Sequence, residues 1–110
     1  MENDRPLKVL IVDDTIVYRK IVNDVFSDLS DVQVVGSAHN GKAAITKIAS
    51  LKPDLLILDI EMPEMNGLEV LEYIKDKKLD VGAVILSTLT YEGGDMTMRA
   101  LDLGAFDFIL

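Results

Sequence analysis

Five short, mostly apolar runs divide the chain, and each of them has the length of a β-strand. The runs cover residues 7–12, 32–36, 55–58, 83–86 and 106–110. The first and third are nearly continuous in apolar residues and show no regular alternation with polar positions. Such continuity is typical of strands that are covered on both faces. The runs therefore predict the strands of a parallel sheet.

Between these runs, apolar residues recur at helical spacing. Residues 15–29 predict an amphipathic helix, which Asp14 or Thr15 is expected to cap. The positions expected on its buried side are Ile16, Val17, Ile21, Val22, Val25, Phe26 and Leu29. Three more helices are expected before the third, fourth and fifth strands, the last of them over about 95–103. The order βαβαβαβαβ predicts an α/β fold with a doubly wound, parallel, five-stranded sheet and right-handed crossovers.

The fifth predicted strand coincides with the end of the 110-residue sequence. A doubly wound domain usually covers such a strand with another helix, and an uncovered strand leaves an unpaired edge. We therefore expect residues 1–110 to form one domain that lacks its last helix because it belongs to a longer chain. Cover by a partner subunit is the alternative. Self-association of the chain is expected for the same reason.

Composition narrows the class of protein. Hydrophobic residues make up 49% of the sequence, which is enough for a packed core, and there is no cysteine for a disulfide or thiolate metal site. No apolar run approaches the roughly 20 residues of a membrane span, and the polar N-terminus lacks the apolar stretch of a signal peptide. The net charge of −8 argues against nucleic-acid binding. We expect a cytoplasmic protein that binds neither membrane nor nucleic acid directly.

Two acidic clusters directly follow predicted strands. Asp13 and Asp14 come after the first strand, and Asp59 comes after the third. Ligands of an open parallel sheet bind beyond the carboxyl ends of its strands, so these carboxylates converge if the two strands are neighbours. Three adjoining carboxylates cannot all stay ionised without a cation, and oxygen ligands at that density suit Mg²⁺. A carboxylate beside bound Mg²⁺ can also act as a nucleophile toward phosphorus.

The acidic residues belong to an ordered set of motifs. The set consists of Asp13-Asp14, Asp59 followed by Met62-Pro63, Asn66-Gly67, and Ser87-Thr88 after the fourth strand. In this order the motifs resemble the response-regulator receiver domain of two-component signalling, which has a flavodoxin-like fold. Within that family, residues 87–90 and 99–108 are similar to the receiver of the chemotaxis methylesterase. The esterase domain of that enzyme has no counterpart in this sequence.

The resemblance implies that Asp59 accepts a phosphoryl group from a histidine kinase. This modification would switch an output domain, in cis or on a partner protein. The resemblance also implies a Mg²⁺ site formed by Asp14, Asp59 and the backbone carbonyl of Glu61, with Asp13 binding through water.

Two further residues are implied in the response to phosphorylation. Ser87 would donate a hydrogen bond to a phosphoryl oxygen, with Thr88 as the alternative because strand ends are uncertain by a few residues. Phe108 matches an aromatic position whose rotamer is coupled to that hydroxyl residue, with an ordinary core phenylalanine as the alternative. The lysine that completes the family's site would directly follow Leu110.

Two other classes of function remain open from the residues. A Mg²⁺-dependent phosphatase of the haloacid dehalogenase type also uses a strand-end aspartate, but that family has Asp-x-Asp where this chain has Asp59-Ile60-Glu61. A phosphorylation-independent interaction module would not need Asp13, Asp14 and Asp59 together. We therefore expect a regulatory phospho-acceptor domain and not an independent enzyme.

Overall fold

Five parallel strands form a single sheet with the order β2-β1-β3-β4-β5. The strands are β1 (Leu7–Val12), β2 (Val32–Ala38), β3 (Leu55–Asp59), β4 (Gly82–Leu86) and β5 (Asp107–Ile109). The computed structural model describes residues 5–60, 62, 64–86 and 107–109, with side chains as far as residue 85. Because β1 pairs with both β2 and β3, the strand order reverses at β1. The parallel α/β sheet predicted from the sequence is confirmed.

Three helices lie on the two faces of this sheet within the part of the chain that the structure describes. They are α1 (Ile16–Ser27), α2 (Gly41–Leu51) and α3 (Gly67–Lys77). The bounds of α1 fall within two residues of those predicted at each end. The helix expected over 95–103 lies outside the described residues. Among these three helices, none is long and apolar enough to cross a membrane.

Asparagine side chains start the second and third helices. Asn40 Oδ1 accepts the backbone N–H three residues on at 2.8 Å. Asn66 and Glu69 form a reciprocal capping box with two bonds of 3.0 Å. The predicted side-chain cap of α1 is wrong. Thr15 lies at the N-cap position, but its hydroxyl donates to Asp14 Oδ1 at 3.4 Å and makes no capping bond.

Both faces of β1 are buried, as its continuous apolar run predicts. Leu10 and Val12 pack into one core, which α2 and α3 cover. Val9 and Ile11 pack into a second core on the α1 side. All four side chains are fully buried. A strand that is covered on both sides needs apolar residues at successive positions, which explains the absence of alternation.

Helix α1 covers the second core with only part of its apolar surface. Val22 and Phe26, one turn apart, pack against this core. The other five positions expected to be buried are between 47% and 72% exposed: Ile16, Val17, Ile21, Val25 and Leu29. The prediction is wrong for these five: within the described residues, Val22 and Phe26 are the members of this set that pack against the second core.

Candidate metal centre

Three carboxylates meet at the carboxyl edge of the sheet. Asp13 and Asp14 directly follow β1, and Asp59 is the last residue of β3. These strands are paired with Val12 beside Leu58, so Asp13 and Asp59 lie at the same level. One carboxylate oxygen from each of the three residues lies within 4.8 Å of the others. The convergence expected from neighbouring strands is present.

The three carboxylates differ in their surroundings. Asp13 and Asp59 are 4% and 8% exposed, whereas Asp14 is exposed. The Thr15 backbone N–H donates to Asp13 Oδ1 at 2.8 Å, and Arg19 Nη1 donates to the Asp13 backbone carbonyl at 2.7 Å. These two hydrogen bonds fix both the side chain and the backbone carbonyl of Asp13 in the loop after β1.

Burial raises the pKa of Asp13 above its ordinary value of 3.8 because it removes water from the charged form. The negative charge of Asp14 acts in the same direction. The Thr15 hydrogen bond and the Arg19 charge oppose this shift without cancelling it. The ionised form of Asp13 is therefore disfavoured in the folded protein, and a nearby cation would offset this effect.

The donor set fits a small hard cation. All three side chains offer carboxylate oxygens, and their spacing lets one ion contact all of them. Mg²⁺ takes oxygen ligands, accepts one or two carboxylates and keeps several waters, so an edge position open to solvent on the Asp14 side suits it. Asp14 and Asp59 could bind the ion directly, and Asp13 could orient one of its waters.

Gly67 lets the start of α3 approach the end of β3 closely. Its N–H donates to the Ile60 carbonyl at 2.8 Å. A Cβ atom at this position would lie 2.5 Å from the Asp59 carbonyl oxygen and 2.8 Å from the Ile60 Cα. A side chain at this position would therefore clash, and the close approach places the start of the helix directly against the residue that ends β3.

The start of α2 forms a second contact with the loop after Asp59, and sequence reasoning missed it. Asn40 Nδ2 donates to Glu64 Oε2 at 3.1 Å, and the Gly41 N–H donates to the Met65 carbonyl at 3.0 Å. Asparagine is a common residue type at helix N-caps, and Asn40 has this position in α2. Its contact with a loop more than twenty residues later could not be read from local pattern.

The remaining predicted site residues are only partly described. Glu61, Ser87 and Thr88 lie outside the described residues. Leu86 pairs with Asp59 across β3 and β4, and Ser87 is the next residue in the sequence. The backbone of Phe108 lies in β5 beside Ile85, but its side chain is outside the described part. The roles expected for Ser87 and Phe108 stay predictions.

Comparison with known proteins gives a consistent picture. The "Protein-glutamate methylesterase/protein-glutamine glutaminase" of Desulfotalea psychrophila is 62% identical over 94% of this chain and 29% of that protein. A protein of the same description from Methanospirillum hungatei is 48% identical over 94% of this chain and 30% of its own length. The chain therefore spans less than a third of these relatives.

Among solved structures, the response regulator domain of Thermotoga maritima CheB is 43% identical with a TM-score of 0.86, covering 96% of this chain and 78% of that one. The CheX-CheY-BeF3-Mg+2 complex from Borrelia burgdorferi is 29% identical with a TM-score of 0.84, over 96% of this chain and 78% of that one. The family model described as "Response regulator receiver domain" matches residues 9–110. The sheet order, the acidic edge and this match together assign the chain to the response regulator receiver domain family.

Proposed function

We propose that this chain is a phospho-acceptor switch in which Asp59 receives a phosphoryl group from a histidine kinase. Asp13, Asp14, Asp59 and the backbone carbonyl of Glu61 form the proposed Mg²⁺ site. One observation carries the proposal: three carboxylates of a receiver-family chain lie within 4.8 Å of one another at the ends of adjacent strands. The solved CheX-CheY-BeF3-Mg+2 complex, which is similar to this chain, supports the choice of ion.

The proposed transfer needs an ionised Asp59. One of its carboxylate oxygens attacks the phosphorus atom of a phosphohistidine, the O–P bond forms, and the P–N bond breaks with its electron pair returning to the histidine nitrogen. Bound Mg²⁺ supplies positive charge to the phosphoryl oxygens. Asp59 is buried at the strand end, which restricts the orientations open to its nucleophilic oxygen.

Two residues beyond the described side chains complete the proposal. Ser87 would donate its hydroxyl to a phosphoryl oxygen after transfer, since its neighbour Leu86 lies beside Asp59. Phe108, on the adjacent strand β5, would change rotamer with that hydroxyl and carry the signal away from the site.

The proposed output is an esterase domain joined in cis. Curated relatives that are three times longer are described as protein-glutamate methylesterases/protein-glutamine glutaminases, and this chain matches less than a third of each. On this proposal the receiver itself performs regulation, and the hydrolytic chemistry belongs to the other domain. The cytoplasmic location expected from the sequence stays a prediction.

The test is phosphorylation by a small donor in the presence of Mg²⁺, followed by mass spectrometry of the intact protein. The full natural chain is incubated with acetyl phosphate, as wild type, Asp59→Asn and Asp76→Asn. Asp76 is an exposed aspartate of α3 and serves as the control. We expect wild type and the control to gain one phosphoryl group and Asp59→Asn to gain none. Equal labelling of all three proteins would overturn the assignment of Asp59.

A further inference from the structure

Two consecutive residues in the loop after β3 have a backbone conformation that side chains disfavour. Glu64 has φ of 51° and Met65 has φ of 85°, and neither is a glycine or an asparagine. A side chain at positive φ crowds the backbone, so such residues persist only where surrounding contacts over-determine them. The loop lies between Asp59 and α3. Its strain must therefore be held by a neighbouring element.

The start of α2 contacts this loop and restrains its backbone. The Gly41 N–H bonds the Met65 carbonyl, and Asn40 Nδ2 bonds the Glu64 carboxylate. A Cβ atom at Gly41 would lie only 2.2 Å from the Met65 carbonyl oxygen, so only glycine permits this contact. On the far side of the loop, Gly67 is bonded to the Ile60 carbonyl. The strained segment is thus fixed from two sides.

Asn40 uses both ends of its side-chain amide, which separates it from an ordinary helix cap. Its Oδ1 caps α2, a role that serine, threonine or aspartate fills equally well. Its Nδ2 donates to Glu64 in the loop and takes no part in capping the helix. The side chain is 7% exposed, so packing limits its rotation and both bonds are directed.

We propose that Asn40 is a positioning residue for the metal centre, holding the strained loop after Asp59 in the conformation that binds the cation. Asn40 is the N-cap residue of α2 and is not among the proposed ligands. It acts through Glu64 and Met65 on the segment that leaves Asp59 and carries the proposed ligand Glu61. The metal part of this inference rests on the proposed function, whereas the restraint of the loop does not.

The test exchanges donor and acceptor between the two residues. Asn40→Asp keeps an acceptor for the α2 cap, removes the donor and places a second carboxylate about 3 Å from that of Glu64, a repulsive pair. Adding Glu64→Gln restores an amide donor facing the new carboxylate. Lys42→Gln, at an exposed position in the first turn of α2, changes the net charge by the same amount and is the control.

Two quantities are measured: Mg²⁺ affinity by calorimetry, and hydrogen exchange at the Gly41 and Gly67 amides without metal. We expect Asn40→Asp to bind Mg²⁺ about tenfold more weakly, a difference of about 1.4 kcal/mol. We also expect it to exchange both amides faster. The double variant should recover both values. Added negative charge by itself would strengthen cation binding, so Lys42→Gln should leave affinity equal or higher. A loss of Mg²⁺ affinity in Asn40→Asp would therefore be opposite to the effect expected from the added negative charge alone.

Unchanged or higher affinity in Asn40→Asp together with unchanged amide exchange would overturn the inference and leave Asn40 as a cap only. If Asn40→Asp does not fold, Glu64→Ala removes the same bond without touching the cap. Faster exchange and weaker binding in Glu64→Ala support the inference, and wild-type values overturn it. If wild-type protein binds no Mg²⁺, the proposed metal site fails, and amide exchange still decides whether Asn40 restrains the loop.

Discussion

Asp13→Asn should make the metal-free domain more stable, although it removes a buried, hydrogen-bonded side chain. The asparagine has nearly the same shape and keeps an oxygen to accept the Thr15 N–H, which is bonded at 2.8 Å. The variant loses the negative charge that Asp13 brings close to Asp14 and Asp59. In the absence of a cation, that charge repels the two neighbouring carboxylates, and the Arg19 charge and the Thr15 hydrogen bond offset this only in part.

The magnitude follows from the geometry. Two unit charges 4.8 Å apart repel each other by about 0.9 kcal/mol at the dielectric constant of water and by about 3.5 kcal/mol at an effective value near 20. Asp13 lies close to the negative charges of both Asp14 and Asp59. Because Asp14 is exposed to solvent, its repulsion of Asp13 is closer to the lower of these two energies. We therefore expect the free energy of unfolding to rise by about 2 kcal/mol, which corresponds to a gain in Tm of roughly 10 °C.

Mg²⁺ should reduce this difference in stability. Wild type gains free energy from binding, about 2.7 kcal/mol when free Mg²⁺ is 100 times its Kd. The variant, with one carboxylate fewer, gains less. The assay is urea unfolding followed by circular dichroism, with EDTA and again with saturating Mg²⁺. The control is Asp76→Asn, which makes the same charge change at an exposed site.

The reasoning is refuted if Asp13→Asn is no more stable than wild type in EDTA. That result would mean that the three carboxylates do not repel one another appreciably in the folded protein. The case for a cation at this edge would then lose its physical basis, whatever the geometry.

Three further predictions follow from the site and the helix ends. Because the pKa of Asp13 is raised, the folded protein binds the carboxyl proton of Asp13 more tightly than the unfolded protein does. The stability that this proton contributes is greatest below pH 3.8, and it is lost as the pH rises through the folded-state pKa of Asp13. Urea midpoints of metal-free wild type should therefore fall with pH relative to Asp13→Asn, and parallel curves would contradict this. Lys78, the C-cap residue after α3, has φ of 55°, so Lys78→Gly should stabilise the domain by about 1 kcal/mol in urea unfolding, whereas Lys75→Gly inside the helix should destabilise it. Gly67→Ala should weaken Mg²⁺ binding in calorimetry about tenfold or more, because its Cβ displaces the Asp59 carbonyl; unchanged affinity would mean that the loop adapts freely.

Some parts of this molecule could be predicted because their signals are local. The run that forms β1 is buried on both faces, and consecutive apolar residues such as Val9 and Leu10 indicate this burial directly. Asp13 and Asp59 could be placed together because parallel strands end at a common edge once β1 and β3 are neighbours. Only strand adjacency had to be assumed.

Other parts depend on contacts that the local pattern does not contain. The sequence identifies the apolar arc of α1, but it does not specify that only Val22 and Phe26 reach the sheet while Ile21 and Val25 stay exposed. Burial of a helix face depends on what lies against it. In the same way, the contact between Gly41 and Met65 joins two loops that are far apart in sequence. A glycine at one position and a methionine at the other do not indicate that the two residues are in contact.

The strand order also bears on how the chain assembles during synthesis. The strand β2 adds to one edge of β1, β3 adds to the other, and β4 and β5 then extend the β3 side in turn. Each strand leaving the ribosome thus meets a neighbour that has already been made, and none has to wedge between two strands already paired. The sheet can therefore grow by edge addition alone. The two strands that carry the acidic edge, β1 and β3, both precede β4 in this order.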